Sequence, residues 1–223
     1  MVAEFLGTAL LVGIGTGAIV GGARLGGIAQ AWLAVAWFAA VTIPIVLFVS
    51  VSGAHLNPAV TLSLAVSRRI PPREVAPYVV AQVGGAFLGS LAVLLTLGDY
   101  AHLGATVPAG GAVIEAFVGE AIFTAGLIAV VFYLSDAGEG RGHWRLLLPG
   151  AVVAVSTYVI GPVSGSSLNP ARSIAPAVLS STYTALAGYI LVPLLAGSLV
   201  ALLWRPRSVD ALDRGIGRES ARQ

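Results

Sequence analysis

The chain has 223 residues, 57% of them hydrophobic and only 10% charged, with a formal net charge of +2. A water-soluble domain carries about 25% charged residues, so this composition excludes an ordinary hydrated surface. A bilayer-facing surface explains it, because lipid tails penalise charge and tolerate apolar side chains. With no cysteine, disulfides, thiolate metal sites and cysteine nucleophiles are excluded. All twelve basic residues are Arg, and they lie mostly between apolar stretches and in the C-terminal tail. That distribution fits membrane topology better than nucleic-acid binding, despite a pI near 9.3.

The first predicted span covers 1–22 and holds Glu4 and Thr8. No cationic segment precedes it, so no cleavable signal peptide is expected. Gly13, Gly15 and Ala18 mimic a dinucleotide fingerprint, but they lie within a span with no strand–helix–strand context. Close helix packing is the better account of them. The second span, 31–50, carries Trp37 and Pro44. An apolar segment at 58–67 follows, too short at about 15 Å to cross about 30 Å of hydrocarbon, and hence re-entrant or interfacial. Arg68, Arg69 and Arg73 lead into the third span, 73–97, where Gly85 and Gly89 form a small-xxx-small pair suited to close helix crossing. The fourth span, 112–134, contains Glu115, Glu120 and Thr124. Arg141 and Arg145 precede the fifth, 144–163, with Pro149 and Thr157. A second short segment, 170–180, is followed by the sixth span, 184–204, and a polar tail, 205–223, with five Arg. Arg concentrates in the second-to-third and fourth-to-fifth connections and in the tail, which places both termini on the cytoplasmic side.

An internal repeat organises these segments. Residues 52–59 read Ser-Gly-Ala-His-Leu-Asn-Pro-Ala and residues 164–171 read Ser-Gly-Ser-Ser-Leu-Asn-Pro-Ala, an offset of 112. The same offset relates Gly85 to Gly197, and Glu4 with Thr8 matches Glu120 with Thr124. Three spans in each half invert the second half relative to the first, giving an inverted 3+3 repeat with halves of about 1–97 and 112–204. Each Asn-Pro opens a half-length helix. Asn57 and Asn169 can cap it, and Pro58 and Pro170 suit its first turn because Pro lacks an N–H. Two half-helices meeting at the midplane aim their positive ends at one point. The asparagine amides then offer donors to a passing oxygen, and the loop carbonyls offer acceptors. Backbone of this kind is tolerable at that depth only where it is buried or lines a water-filled path.

The paired Asn57-Pro58-Ala59 and Asn169-Pro170-Ala171 boxes, with Arg172 and Ser173 following the second, resemble those of the aquaporin and glycerol-facilitator superfamily over residues 1–204. The resemblance implies an all-α membrane protein of six tilted helices and two re-entrant half-helices in a single channel domain. It further implies a homotetramer with one pore per subunit, no cofactor, and a multi-pass place in the cell membrane. It makes Arg172, three residues after Asn169, the selectivity-filter arginine, and its repeat partner is Val60. A structural salt bridge is the alternative for Arg172. Counting as the family motif does, Trp37, Thr157 and Ser166 complete the filter, although each has an ordinary packing explanation. Glu4 and Glu120 are read either as a proton relay or as supports for the re-entrant loops, and their repeat-related positions favour support. His55 either bonds its own loop or titrates near neutral pH.

The implied function is passive passage of water and small uncharged solutes such as glycerol, and of metalloid acids, without protons or ions. Partners are those solutes and lipid, with no nucleic acid and no enzymatic constellation. The alternatives are a water-selective aquaporin and, since inverted repeats also build them, a coupled secondary transporter. Ser173 and Ala177 resemble water channels, while Pro193 and Leu194 resemble glycerol facilitators. The Trp37, Thr157, Ser166 and Arg172 set resembles nodulin-type channels with two hydroxyls added.

Overall fold

A computed structural model of the chain describes residues 1–136 and 142–204. Arg141 and the 205–223 tail, both used above to orient the chain, lie outside the described residues. Eight α-helices form the described part, with short 3₁₀ turns between them and no strand. They are α1 (Val2–Arg24), α2 (Gln30–Ser52), α3 (Pro58–Val66), α4 (Val75–Leu97), α5 (Val113–Asp136), α6 (Leu148–Ser164), α7 (Pro170–Leu179) and α8 (Leu186–Leu203). Six segments are long and apolar enough to cross a membrane, each containing one of these helices other than α3 and α7. The fifth span, His143–Ser164, lies where the sequence predicts it, but its first residues are not α-helical. Residues 143–147 form a 3₁₀ turn, and the α-helix starts where Pro149 can occupy its first turn.

The packing obeys the repeat. α1 lies along α4 as α5 lies along α8, and α1 packs on α2 as α5 packs on α6. The half-helices cross over, α3 packing against α8 and α7 against α4, while α2 and α6 meet between the halves. Glycine permits the closest of these approaches. A Cβ at Gly85 would run into the backbone of Phe5, and one at Gly89 into that of Ala9, both on α1. Gly13 faces Gly89 across the same crossing, in keeping with the packing account of its apparent fingerprint. Large apolar side chains face outward along the spans, among them Trp32, Leu95, Ile114, Leu195 and Leu203. Polar and charged groups such as Glu4, Gln82, Glu120 and Arg172 are instead fully buried. This inversion of the soluble pattern is what a hydrocarbon solvent demands. The chain is a multi-pass membrane protein.

Candidate pore

The half-helices start where the sequence places them and meet N-terminus to N-terminus. The Asn57 side chain caps α3, accepting from Ala59 N at 2.8 Å, and Asn169 caps α7, accepting from Ala171 N at 3.0 Å. Each carboxamide also braces the opposite loop. Asn57 Nδ2 donates to Leu168 O at 2.8 Å, and Asn169 Nδ2 donates to Leu56 O at 2.9 Å. A carboxamide has two N–H donors, so one N–H of each asparagine remains for the space both residues line. The loops before the half-helices hold non-glycine residues in left-handed backbone at matched positions, Ala54 and Leu56 in one, Ser166 and Leu168 in the other. Such residues cost about 1–3 kcal/mol each and persist only where the surroundings enforce them.

Two carboxylates do the enforcing. Glu4 accepts from Ser52 Oγ at 2.7 Å, His55 N at 2.9 Å, Leu56 N at 2.7 Å and Gln82 Nε2 at 2.8 Å. Glu120 accepts from Ser164 Oγ at 2.9 Å and from Ser167 N and Leu168 N at 2.7 Å each. Both are completely buried. A tyrosine steadies each loop from behind, Tyr78 Oη donating to Ser52 O and Tyr189 Oη to Ser164 O. The His55 ring stacks on Tyr78 at 4.6 Å between centroids, and its Nδ1 lies 3.2 Å from Thr61 Oγ1. The two tyrosines, Gln82 and Thr61 were missed in the sequence reading. A polar Gln82 inside an apolar span was a usable signal, and the tyrosines repeat at an offset of 111, one short of the octapeptide's.

A cavity of about 980 Å³ runs through this centre. At one end it is lined by Arg69, Ile70, His143 and Arg145, near the C-terminal ends of α3 and α5. It passes Val60, Leu64, Leu127 and the two asparagines, and its lining reaches Trp37 and Arg172. The Arg69 end is fixed electrostatically. Arg69 makes a bidentate contact with Asp136 at 2.8 Å, lies over the Phe132 ring, and shares that carboxylate with Trp204 Nε1.

At the other end the Arg172 guanidinium stacks on the Trp37 indole, 4.6 Å from the ring centroid. Arg172 Nη1 donates to Gly104 O at 2.7 Å and Nη2 to Gly165 O at 3.4 Å, while Nε is buried with no protein partner. Among the described residues the Arg172 guanidinium has no carboxylate within ion-pair distance. The Gly104 carbonyl is delivered by a loop with three successive left-handed residues, Ala101, His102 and Leu103, which the sequence reading treated only as a connection. Of the four filter positions read from sequence, Trp37 and Arg172 are brought into contact. Thr157 and Ser166 are 2% and 1% exposed and lie outside the cavity lining. Ser166 Oγ is held 2.8 Å from Ser156 Oγ, and Thr157 Oγ1 is buried without a partner.

Six apolar spans around a central cavity, with two helix N-termini facing each other at it, define a membrane channel. The sequence profile described as Major intrinsic protein matches residues 1–204, and the chain belongs to that family of channels. It is 41% identical over 194 residues to Aquaporin NIP1-4 of Oryza sativa subsp. japonica, covering 86% of this chain and 71% of that protein. It is 34% identical over 218 residues to Nodulin-26 of Glycine max, covering 97% and 79%. The solved structure titled X-ray structure of the aquaglyceroporin from Plasmodium falciparum superposes with a TM-score of 0.79 at 25% identity, covering 95% of this chain and 96% of that one.

Proposed function

We propose that this channel passes water and glycerol-sized uncharged solutes, compact acids such as boric acid included, and excludes protons and ions. The observation that carries the reading is the pairing of Trp37 with Arg172 at the end of the cavity. An indole face can lie along the carbon side of a polyol, while guanidinium N–H groups serve its hydroxyls. In this reading Thr157 and Ser166 are the other two filter residues, small hydroxyl side chains buried behind the cavity lining. The likeness to a structure titled as an aquaglyceroporin supports a pore that admits glycerol as well as water. Exclusion of cations follows from Arg172 and the two helix N-termini, all of one sign. Asn57 and Asn169 are the midplane donors, and Glu4, Glu120 and His55 hold the loops rather than relay protons.

In this reading residues 1–204 are one channel domain that assembles as a homotetramer in the cell membrane. Both termini are cytoplasmic, and 205–223 is a cytoplasmic tail. The test is flux in proteoliposomes. Wild-type protein should carry glycerol well above empty liposomes, and Thr157→His should cut glycerol flux far more than water flux. Glycerol flux at the level of empty liposomes, with rapid water flux, returns the pore to a water-selective one. Ser173 and Ala177 favour that second reading. Flux that follows an imposed proton gradient would instead make Glu4 or Glu120 part of a coupled carrier.

A further inference from the structure

Gln30 is a half-buried amide at the first position of an apolar span, and nothing in the channel reading above uses it. Its Nε2 donates to the backbone carbonyl of Thr157, on α6. Trp37 lies seven residues further along α2, two turns on and so on the same face of the helix. One face of α2 therefore offers the indole to the constriction and an amide to the wall opposite.

The receiving stretch of α6 is adapted to the contact. Gly161 lies one turn beyond Thr157, and a Cβ there would stand 2.7 Å from Gln30 Nε2. The missing side chain is the space the carboxamide occupies. Pro162 follows and has no N–H to offer the carbonyl of Tyr158, so the helix ladder is weakened immediately beyond Thr157. A helix that lacks one ladder bond is held less firmly there, and a bond from a neighbouring helix restrains it. Thr157 Oγ1 has no protein partner, so the side chain does not anchor itself by hydrogen bonding.

We propose that Gln30 is a positioning residue of the constriction, tying the helix that carries Trp37 to the helix that carries Thr157 and thereby setting the size of solute the pore admits. The inference rests on the reading of Trp37 and Thr157 as filter walls. It is tested with Gln30→Met, which keeps the length and loses the donor, and Gln30→Glu, which puts an acceptor against the carbonyl. Fluxes of water, glycerol and a five-carbon polyol are measured per folded channel in proteoliposomes. Water flux should be retained, and the five-carbon polyol should gain on glycerol by about threefold or more, the factor one net hydrogen bond carries. Gly161→Ala should displace the amide and give the same shift, yet add little in the Gln30→Met background, because both changes break one contact. Should Gln30→Met not fold, Gly161→Ala carries the test alone. An unchanged polyol ratio in these variants, alongside a Thr157→His variant that does alter glycerol against water, overturns the role of Gln30 and leaves the filter intact. A Thr157→His variant with unaltered selectivity removes the filter reading, and this inference with it.

Discussion

The two halves of the molecule build the same loop and use it differently. In the first, Glu4 gathers four donors, the last of them Gln82 from α4. In the second, Glu120 gathers three, and the position that answers to Gln82 at the tyrosine offset is Pro193, which has no donor to give. Three residues past the capping asparagine the first half carries Val60 and the second Arg172. The scaffold is thus duplicated while the chemistry is not. A buried loop with left-handed residues requires its acceptors in either orientation, whereas the guanidinium stands at one end of the cavity only.

The largest effect should come from removing what the halves share. Glu4→Ala and Glu120→Ala each orphan two backbone N–H groups of the loop, at about 1–3 kcal/mol apiece, and each removes an acceptor from a serine hydroxyl. Both variants should lose most of their folded yield and thermal stability in detergent. A Glu120→Ala protein as stable as wild type would break the equivalence of the loops.

The next effect separates glycines that the repeat makes equivalent. A methyl at Gly85 meets the backbone of Phe5, which cannot move without moving α1, and a methyl at Gly197 meets chiefly side chains, the hydroxyl of Ser63 and then Ile128. Gly85→Ala should cost about 1–3 kcal/mol, as overpacking does, and Gly197→Ala clearly less. Thermal unfolding of the two variants side by side decides it, and equal losses would mean that the crossings are equally rigid.

Arg172→Val makes the second half chemically like the first. Cation conductance in voltage-clamped bilayers should rise by about tenfold or more, equivalent to about 1.4 kcal/mol of lost barrier, with the fold retained. No rise would locate ion exclusion at the helix N-termini instead. The smallest effect is expected from Tyr78→Phe and Tyr189→Phe, about 0.5–1.5 kcal/mol each for one hydrogen bond. Tyr189 should be the costlier, being completely enclosed where Tyr78 is 9% exposed.

Most of the fold was legible in the residues. Long apolar runs, two half-length ones and a duplicated octapeptide leave little freedom to a chain in hydrocarbon, where every buried backbone group must be paired internally. The asparagine caps and the prolines after them carried the starts of α3 and α7 to the residue. The matched acids Glu4 and Glu120 were visible because the repeat preserves their spacing to Thr8 and Thr124.

What the sequence could not yield is anything that depends on which atoms meet across helices. Gln30 and Thr157 are 127 positions apart and belong to no motif. The Gly104 carbonyl that holds Arg172 comes from a loop whose left-handed run has no signature in Ala101, His102 and Leu103. The stacking of Arg172 on Trp37 joins residues from opposite halves. Periodicity and repeats record the local rules of chain and solvent, and those rules determined the spans, the inversion and the paired boxes. The width and polarity of the narrowest point are decided by helix crossings and single long-range hydrogen bonds, so only the tertiary structure holds them.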